Sequence, residues 1–475
     1  MFQKGNCMKR IFTLLLLFIG LGITAKAQDF EYSKKGQRVI EETPLSTDVA
    51  RPERFSIHFQ TTYIYQYKPK FSSDYQGRNS LDSAEQKDNS VTATLYLGLR
   101  LWKGGELYVN PEIAGGSGLS GALGMAGSSN GETFRVGNPS PTLYLARGYI
   151  QQTFALKQNA MRRKGVLNTQ SVDADANQLA GYEPKNYLRF IAGKYCLGDY
   201  FDNNEYSNSP RTQFMNWALM NNGAWDYAAN VRGYTLAFTT ELQLGNTNVK
   251  ANIAAMPEVA NGAKLNTNIN QAYSLNAEVN HHFNLWNKPG NLRLLGFYNK
   301  ANMGNYQDAI NIANSLSKTP YVDAAAIGYN GKKYGFGINF DQELSKTFGV
   351  FGRLGWNDGR YQTWCFTEID QTVTLGLSAN GGAWKRTNDN CGLAFILNGL
   401  SQDHKDYLAM GGYGFILGDG ALNYAPEFIT ELYYSFKPVK QGIWITGDYQ
   451  FCMNPGYNMD RGPVHILSAR VHVEL

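Results

Sequence analysis

The stretch VTATLYLGLRLW, Val91 to Trp102, alternates along its length. Val91, Ala93, Leu95, Leu97, Leu99 and Leu101 fall on one parity, and Thr92, Thr94, Tyr96, Gly98 and Arg100 on the other. Successive side chains of a strand point to opposite faces, so this segment reads as a strand with one apolar and one polar face. The same period returns in YGFGINFDQEL, where Phe336, Ile338 and Phe340 oppose Gly337, Asn339, Asp341 and Glu343. In FGVFGRLGWND, Phe348, Val350, Leu354 and Trp356 oppose Gly349, Phe351, Arg353 and Asn357. The last residues set Leu467, Ala469, Val471, Val473 and Leu475 against Ser468, Arg470, His472 and Glu474.

A soluble sandwich also alternates, so strand length and number decide. Candidate strands begin near Phe55, Val91, Glu106, Thr142, Asn186, Gly233, Thr247 and Asn270. Others begin near Gly290, Lys333, Phe348, Thr363, Cys391, Phe428, Gly442 and Gly462. Several reach the length that a tilted strand needs to cross ~25 Å of apolar membrane. These features predict an all-β fold, a transmembrane antiparallel β-barrel of about sixteen strands, wide enough for an aqueous channel. Composition agrees: 50 Gly, 30 Tyr and 25 Phe stand beside only 17% charged residues. A polar lumen and aromatic rims need such a mixture.

The N-terminus predicts export. Lys9 and Arg10 precede the apolar run Ile11 to Ile23, and Ala25 and Ala27 frame a cleavage site. A run of about 13 residues falls short of the ~20 that a spanning helix requires. The expected organisation is a signal peptide (1–27), a loosely ordered periplasmic segment (28–52) and an outer-membrane barrel (53–475) of a Gram-negative cell. The net charge of +5 includes the signal region and gives no case for nucleic acid. Cys196, Cys365, Cys391 and Cys452 lack metal-ligand spacing, so no metal or cofactor is expected, and their pairing stays open.

On the polar parity lie the charges Arg100, Glu112, Arg147, Arg189, Arg353, Glu368, Asp370, Glu431, Asp448 and Arg470. Facing lipid at the midplane, a charge would cost ~2–4 kcal/mol, so the shared parity points into a lumen. A lumen of both signs suits neutral, hydroxyl-rich solutes better than ions. Alternatively, the charges pair with one another and hold the wall.

One stretch breaks the period: DNNEYSNSPRTQFMNWALMNNGAWDY, Asp202 to Tyr227. Phe214, Met215, Trp217, Ala218, Leu219 and Met220 crowd together, with Ser209 and Pro210 to open a short helix and Asn221 to Gly223 to close it. Folded into the lumen, the insert makes a constriction with Arg211, Trp217 and Asp226 facing the channel. The other reading is a helix over the barrel mouth or in a subunit contact.

Long phrases then resemble the carbohydrate-selective porin family of OprB type. They include LGLRLWKGGELYVNPEIAGGSGLSG (97–121), GDYFDNNEYSNSPRTQFMNWALMNNGAWDYAANVRGYT (198–235) and RLGWNDGRYQTWCFTEID (353–370). LNGLSQDHKDYLAMGGYGFILGDGALNYAPE (397–427) and DYQFCMNPGYNMDRGPVHILSARVHVEL (448–475) extend the resemblance over nearly the whole mature chain. It implies a 16-stranded barrel that passes mono- and small oligosaccharides, with arginines and acids at an eyelet made by inward-folded loops. The implied positions are Arg211, Trp217 and Asp226 in the insert and Glu112, Arg353, Glu368, Asp370 and Glu431 on the wall. Strand parity adds Arg147 and Arg189. Small sugars and outer-membrane lipid are the implied partners, and a homo-oligomer stays open. Leu475 departs from the aromatic residue that ends many such barrels.

Competing functions are a general diffusion porin, a closed binding or structural barrel, and a barrel enzyme. The six histidines sit in no nucleophile motif. Glu368 and Asp370 on one strand face would match a hydrolytic pair ~5–9 Å apart, although same-face acids are ordinary in a pore. GGSGLSGALGMAG (115–127) lacks the Lys-Ser/Thr ending of a phosphate loop and reads as a mobile loop.

Overall fold

The computed structural model describes residues 52–133, 140–156, 169–439 and 442–475. The expected signal peptide and nearly all of the expected periplasmic segment lie outside the described residues. The wall opens with β1 (Phe55–Lys68), β2 (Gln86–Trp102), β3 (Gly105–Gly115) and β4 (Thr142–Ala155). A small hairpin of β5 (Thr169–Val172) and β6 (Gly181–Pro184) precedes β7 (Tyr187–Tyr195), β8 (Thr235–Leu244) and β9 (Thr247–Pro257). After the short β10 (Leu265–Asn266) come β11 (Tyr273–Leu285), β12 (Lys288–Ala301), β13 (Gly331–Glu343) and β14 (Phe348–Asn357). The wall is completed by β15 (Gln371–Asn380), β16 (Asn390–Gly399), β17 (Glu427–Phe436), β18 (Ile443–Met453) and β19 (Val464–Glu474).

Neighbouring wall strands pair antiparallel, β4 with β7 and β9 with β11 across the small elements. β1 then pairs with β19, Tyr65 opposite Ala469, and the 16-strand barrel closes. Closure leaves no strand edge, which a bilayer demands because lipid cannot satisfy a free N–H or C=O. The burial pattern inverts that of a soluble sheet. Leu143, Leu236, Leu294, Val373, Leu375 and Leu467 are exposed, whereas Thr92, Glu112, Asn252, Asn276, Arg353 and Arg470 are buried. Apolar side chains face lipid and polar ones face the lumen.

One end of the barrel has two-residue turns at 103–104, 245–246 and 286–287; the other carries long loops. Short turns mark the periplasmic end of such barrels. Trp102 and Trp286, both exposed, stand at that end as part of an aromatic rim. Trp286 and Asn287 take φ of 54° and 56°, the two left-handed residues that a tight hairpin turn requires.

The long loops fold inward. Phe214, Met215, Ala218, Leu219 and Trp225 are buried, as are Met125, Ala126, Trp364, Ile416 and Leu417. The core therefore lies inside the barrel. Within the insert only α1 (Trp217–Met220) is α-helical, and Asn216, not Ser209, caps it by accepting from Ala218 N–H at 3.0 Å. Ser209 opens a turn, its carbonyl accepting from Gln213 N–H at 2.8 Å. α2 (Tyr306–Leu316) and α3 (Gln402–Ala409) pack together in the outer loops, Tyr306 against His404 at 4.4 Å.

Three expectations are corrected. No strand begins near Thr363: residues 363–370 run inward, because Trp364, Cys365, Phe366 and Ile369 bury in the lumen core rather than alternate, and β15 starts at Gln371. Glu368 and Asp370 accordingly precede the strand instead of lying on its face. The segment 115–127 is held rather than mobile. Gly124 N–H donates to Ile416 O at 3.0 Å, and a Cβ on Gly124 (φ 75°) would stand 1.8 Å from Leu81 N. The four described cysteines, whose pairing the sequence leaves open, are free.

Leu375 lies mid-strand on the lipid face. Leu375→Lys should lower barrel stability by ~2–4 kcal/mol, measured by urea unfolding in lipid vesicles, whereas Leu375→Val should change it little.

Candidate functional site

The sequence-derived charges divide into two groups by what they touch. In the first, the wall or a loop holds another loop. Arg353 on β14 uses all five of its N–H donors on the insert. Nε donates to Asp202 Oδ2 at 2.9 Å. Nη1 donates to Ser207 Oγ at 3.1 Å and Leu219 O at 3.2 Å. Nη2 donates to Asp202 O at 3.2 Å and Ser207 O at 2.6 Å. Glu431 on β17 accepts from the successive amides of Met215 (2.5 Å) and Asn216 (3.0 Å). Asp226, at the end of the insert, accepts from Trp364 N–H (3.0 Å) and Cys365 N–H (2.7 Å). Burial pushes its carboxyl above the usual carboxylate range, and nearby Lys333 and these amides oppose that rise.

Glu368 repeats the pattern on the amides of Ile416 (2.8 Å) and Leu417 (2.6 Å). Asp370 accepts from Ser401 N–H at 2.9 Å, meets His404 Nδ1 at 3.0 Å, and lies 3.6 Å from Lys333 Nζ. These five residues, Asp226, Arg353, Glu368, Asp370 and Glu431, are each 2% exposed or less. Charge-assisted bonds of this kind are about twice as strong as neutral ones, which suits a fastening. Trp217 belongs here too: its Nε1 donates to Asn130 O at 2.8 Å, and its ring stacks on Phe366 at 6.0 Å.

In the second group Arg211, Arg147 and Asp199 retain access to solvent around a buried Glu112. Arg211 bridges Glu112 (Nη2, 3.0 Å) and Glu132 (Nε, 3.1 Å), and its Nη1 donates to Thr94 Oγ1 at 2.9 Å and Tyr96 OH at 3.2 Å. Glu112 also accepts from Thr94 Oγ1 (2.5 Å), from Tyr144 OH and from Tyr234 OH (3.1 Å). Beside them Arg147 forms a two-pronged pair with Asp199, both bonds 2.7 Å, and lies 5.2 Å from the Tyr234 ring. The register between β3 and β4 shifts at Asn110/Pro111, leaving Ala146 as an extra residue. That bulge returns Arg147 to the lumen side along with Tyr144. Arg211, Arg147 and Asp199 keep 14, 13 and 31% of their side-chain surface. A polar track descends from this band: Tyr96 OH donates to Gln60 Oε1, and Gln60 Nε2 donates to Glu474 Oε1, both at 3.1 Å.

The structure thus brings Glu112, Arg147 and Arg211 together and seats Arg189 apart, near the turn end, on Glu183 and Glu241. Three partners escaped the sequence reading. Glu427 fastens the amides of Ala126 (3.0 Å) and Gly127 (2.9 Å), and its polar parity on β17 was the available signal. Asp199 and Asp202 lie in loop sequence without periodicity. Asp202 takes a left-handed φ of 55°, and its Oδ2 also accepts from Asn222 N–H at 2.6 Å, tying both ends of the insert together.

A closed 16-strand barrel with a polar lumen narrowed by its own loops defines a porin-type channel protein of the outer membrane. The chain belongs to the carbohydrate-selective porin, OprB family, which it matches over residues 78–475. It is similar in fold to the high-pH structure of Pseudomonas putida OprB, with 14% identity, 89% of this chain and 94% of that chain covered, and a TM-score of 0.65. It also matches an anion-selective porin from Comamonas acidovorans at 9% identity, covering 89% of this chain and 99% of that chain, TM-score 0.49. No curated protein matches the chain. Family membership places it in the outer membrane of a Gram-negative cell.

Arg353→Met leaves Asp202 buried without its cation. It should cost ~3–5 kcal/mol in urea unfolding, and Asp202→Asn combined with Arg353→Met should cost less than the two single changes added together.

Proposed function

We propose that the protein lets small, uncharged carbohydrates cross the outer membrane by facilitated diffusion, past the band of Glu112, Arg211, Glu132, Arg147 and Asp199. One observation carries this reading: Arg211, Glu132, Arg147 and Asp199 keep part of their side-chain surface in solvent around a buried Glu112, whereas the loop-fastening charges Asp226, Arg353, Glu368, Asp370 and Glu431 are sealed. Each cation in the band is paired with an acid. Paired charges give a small net field, which does not reward an ion, yet they offer donors and acceptors to sugar hydroxyls. Tyr144, which is half-buried, adds aromatic surface for the C–H groups of a sugar. Weak contacts at several places, rather than one tight site, allow net passage. Arg147 and Arg211 are the solute-contacting residues in this reading, and the buried Glu112 holds Arg211 in place. Asp226, Trp217, Arg353, Glu368, Asp370 and Glu431 fix the shape of the passage without meeting the solute.

A second reading, a closed binding or structural barrel, draws on the amount of buried apolar chain inside the lumen. Proteoliposome swelling with a graded series of saccharides separates the two. The channel reading expects swelling by monosaccharides that falls with solute size, and no swelling by any sugar overturns it. Arg211→Ala strands Glu112 and Glu132 without their shared cation. The variant should shift the zero-current potential in a salt gradient towards cation preference.

A further inference from the structure

At the turn end, two residues suffice to join β2 to β3, β8 to β9 and β11 to β12, but residues 156–186 join β4 to β7. The long connection is not needed for the wall, because β4 and β7 pair directly, Gly148 opposite Lys194 through Ala155 opposite Tyr187. Within it β5 and β6 pair from Thr169 opposite Pro184 to Val172 opposite Gly181. The tip of this hairpin is turned back onto the barrel mouth. Glu53 N–H donates to Ala180 O at 3.0 Å, and Ala180 N–H donates to Glu53 Oε2 at 2.9 Å. Arg100, on the lumen face of β2, reaches Ala180 O at 3.4 Å while paired to Glu106 at 3.0 Å. On the other flank Glu183 is paired with Arg189 on β7, whose second arm holds Glu241 at 3.2 Å. Between these polar fastenings Leu179 is 2% exposed and joins the cluster of Tyr108 and Tyr149, whose side chains line the lumen.

An apolar residue at the tip of a polar hairpin, buried in a charged mouth and held from both sides, is the arrangement of a stopper. We propose that the β5–β6 hairpin is a second constriction, at the periplasmic exit, with Leu179 filling the opening and Arg100, Glu183 and Arg189 the polar groups that a departing sugar meets. It rests on the channel reading above and adds an exit filter in series with the band at Glu112 and Arg211. Two restrictions in series act independently. The upper band sets preference among sugars that fit, and the exit sets the largest sugar that leaves.

The test uses the full chain in proteoliposomes and planar bilayers, with barrel folding checked by heat-dependent gel mobility. Residues 173–180 are replaced by a Gly-Gly turn, and Leu179→Gly serves as the milder variant if that replacement does not fold. The expected result is a rise in single-channel conductance and an upward shift of the saccharide size limit, with the ranking of monosaccharides unchanged. A folded variant with wild-type conductance and size limit overturns the inference. A wild-type chain that conducts nothing beside a variant that conducts keeps the hairpin as the seal and overturns the open-channel reading. No conductance in either overturns both.

Discussion

The bond between a wall carboxylate or guanidinium and the backbone of an in-folded loop is the interaction on which this barrel depends. Strand parity sends every second side chain into the lumen, and lipid outside forces the alternate set to be apolar, so the polar side chains of the wall gather inside. A lumen filled with protein then leaves these groups away from water, where an unpaired charge is very costly. Loops have the opposite problem, since a segment pulled into the interior carries free N–H and C=O groups. The two deficits satisfy each other. Glu427 and Glu431 on the wall each take two successive amides and Arg353 takes carbonyls, and between loops Asp226 and Glu368 repeat the arrangement.

This exchange also explains where the loops stop. The insert at 202–227 is gripped by Arg353 near its start and by Glu431 at the N-terminus of α1, while Arg470 on β19 donates to Pro210 O at 2.8 Å and Gln213 O at 2.6 Å. Three wall strands thus fix the short stretch that carries Arg211. Apolar packing of Phe214 against Tyr433 and Phe351, with ring centres 4.8 and 5.5 Å apart, fills the space that the bonds enclose. Hydrophobic burial supplies non-directional cohesion, and the charged bonds supply the register.

The wall was legible in the sequence because a two-residue period is a local signal that lipid and lumen both enforce. Parity identified Arg353 and Glu431 as inward-facing, but it could not name their partners, which lie far away in sequence. Glu368 and Asp370 show where periodic reasoning fails: a loop ending in Thr-Glu-Ile-Asp imitates alternation over a few residues, although no strand pairs there. Apolar crowding marks the insert, yet cap residues are a local signal and point to a helix opening at Ser209 and Pro210. The competing cap at Asn216 wins because Glu431 fixes the two amides just there. Asp199 and Asp202 carry no pattern; their roles exist only once β4 and β14 stand opposite them.

The separation of sealed from accessible charges bears on how a sugar could pass the band. On the proposed reading, a hydroxyl reaching Arg211 finds its donors already in use. Two of them serve the carboxylates of Glu112 and Glu132, and Nη1 serves the hydroxyls of Thr94 and Tyr96. Replacing a carboxylate would break an ion pair, so the exchange that costs least is a sugar hydroxyl for a protein hydroxyl. A hydrogen bond from a guanidinium to a hydroxyl is worth about 1.5–3 kcal/mol net, and swapping one hydroxyl acceptor for another leaves little difference in free energy. The band can therefore recognise a polyhydroxylated solute without trapping it. An ion meets no such exchange, since its partners at Arg211 and Arg147 are occupied by acids that the fold holds in place.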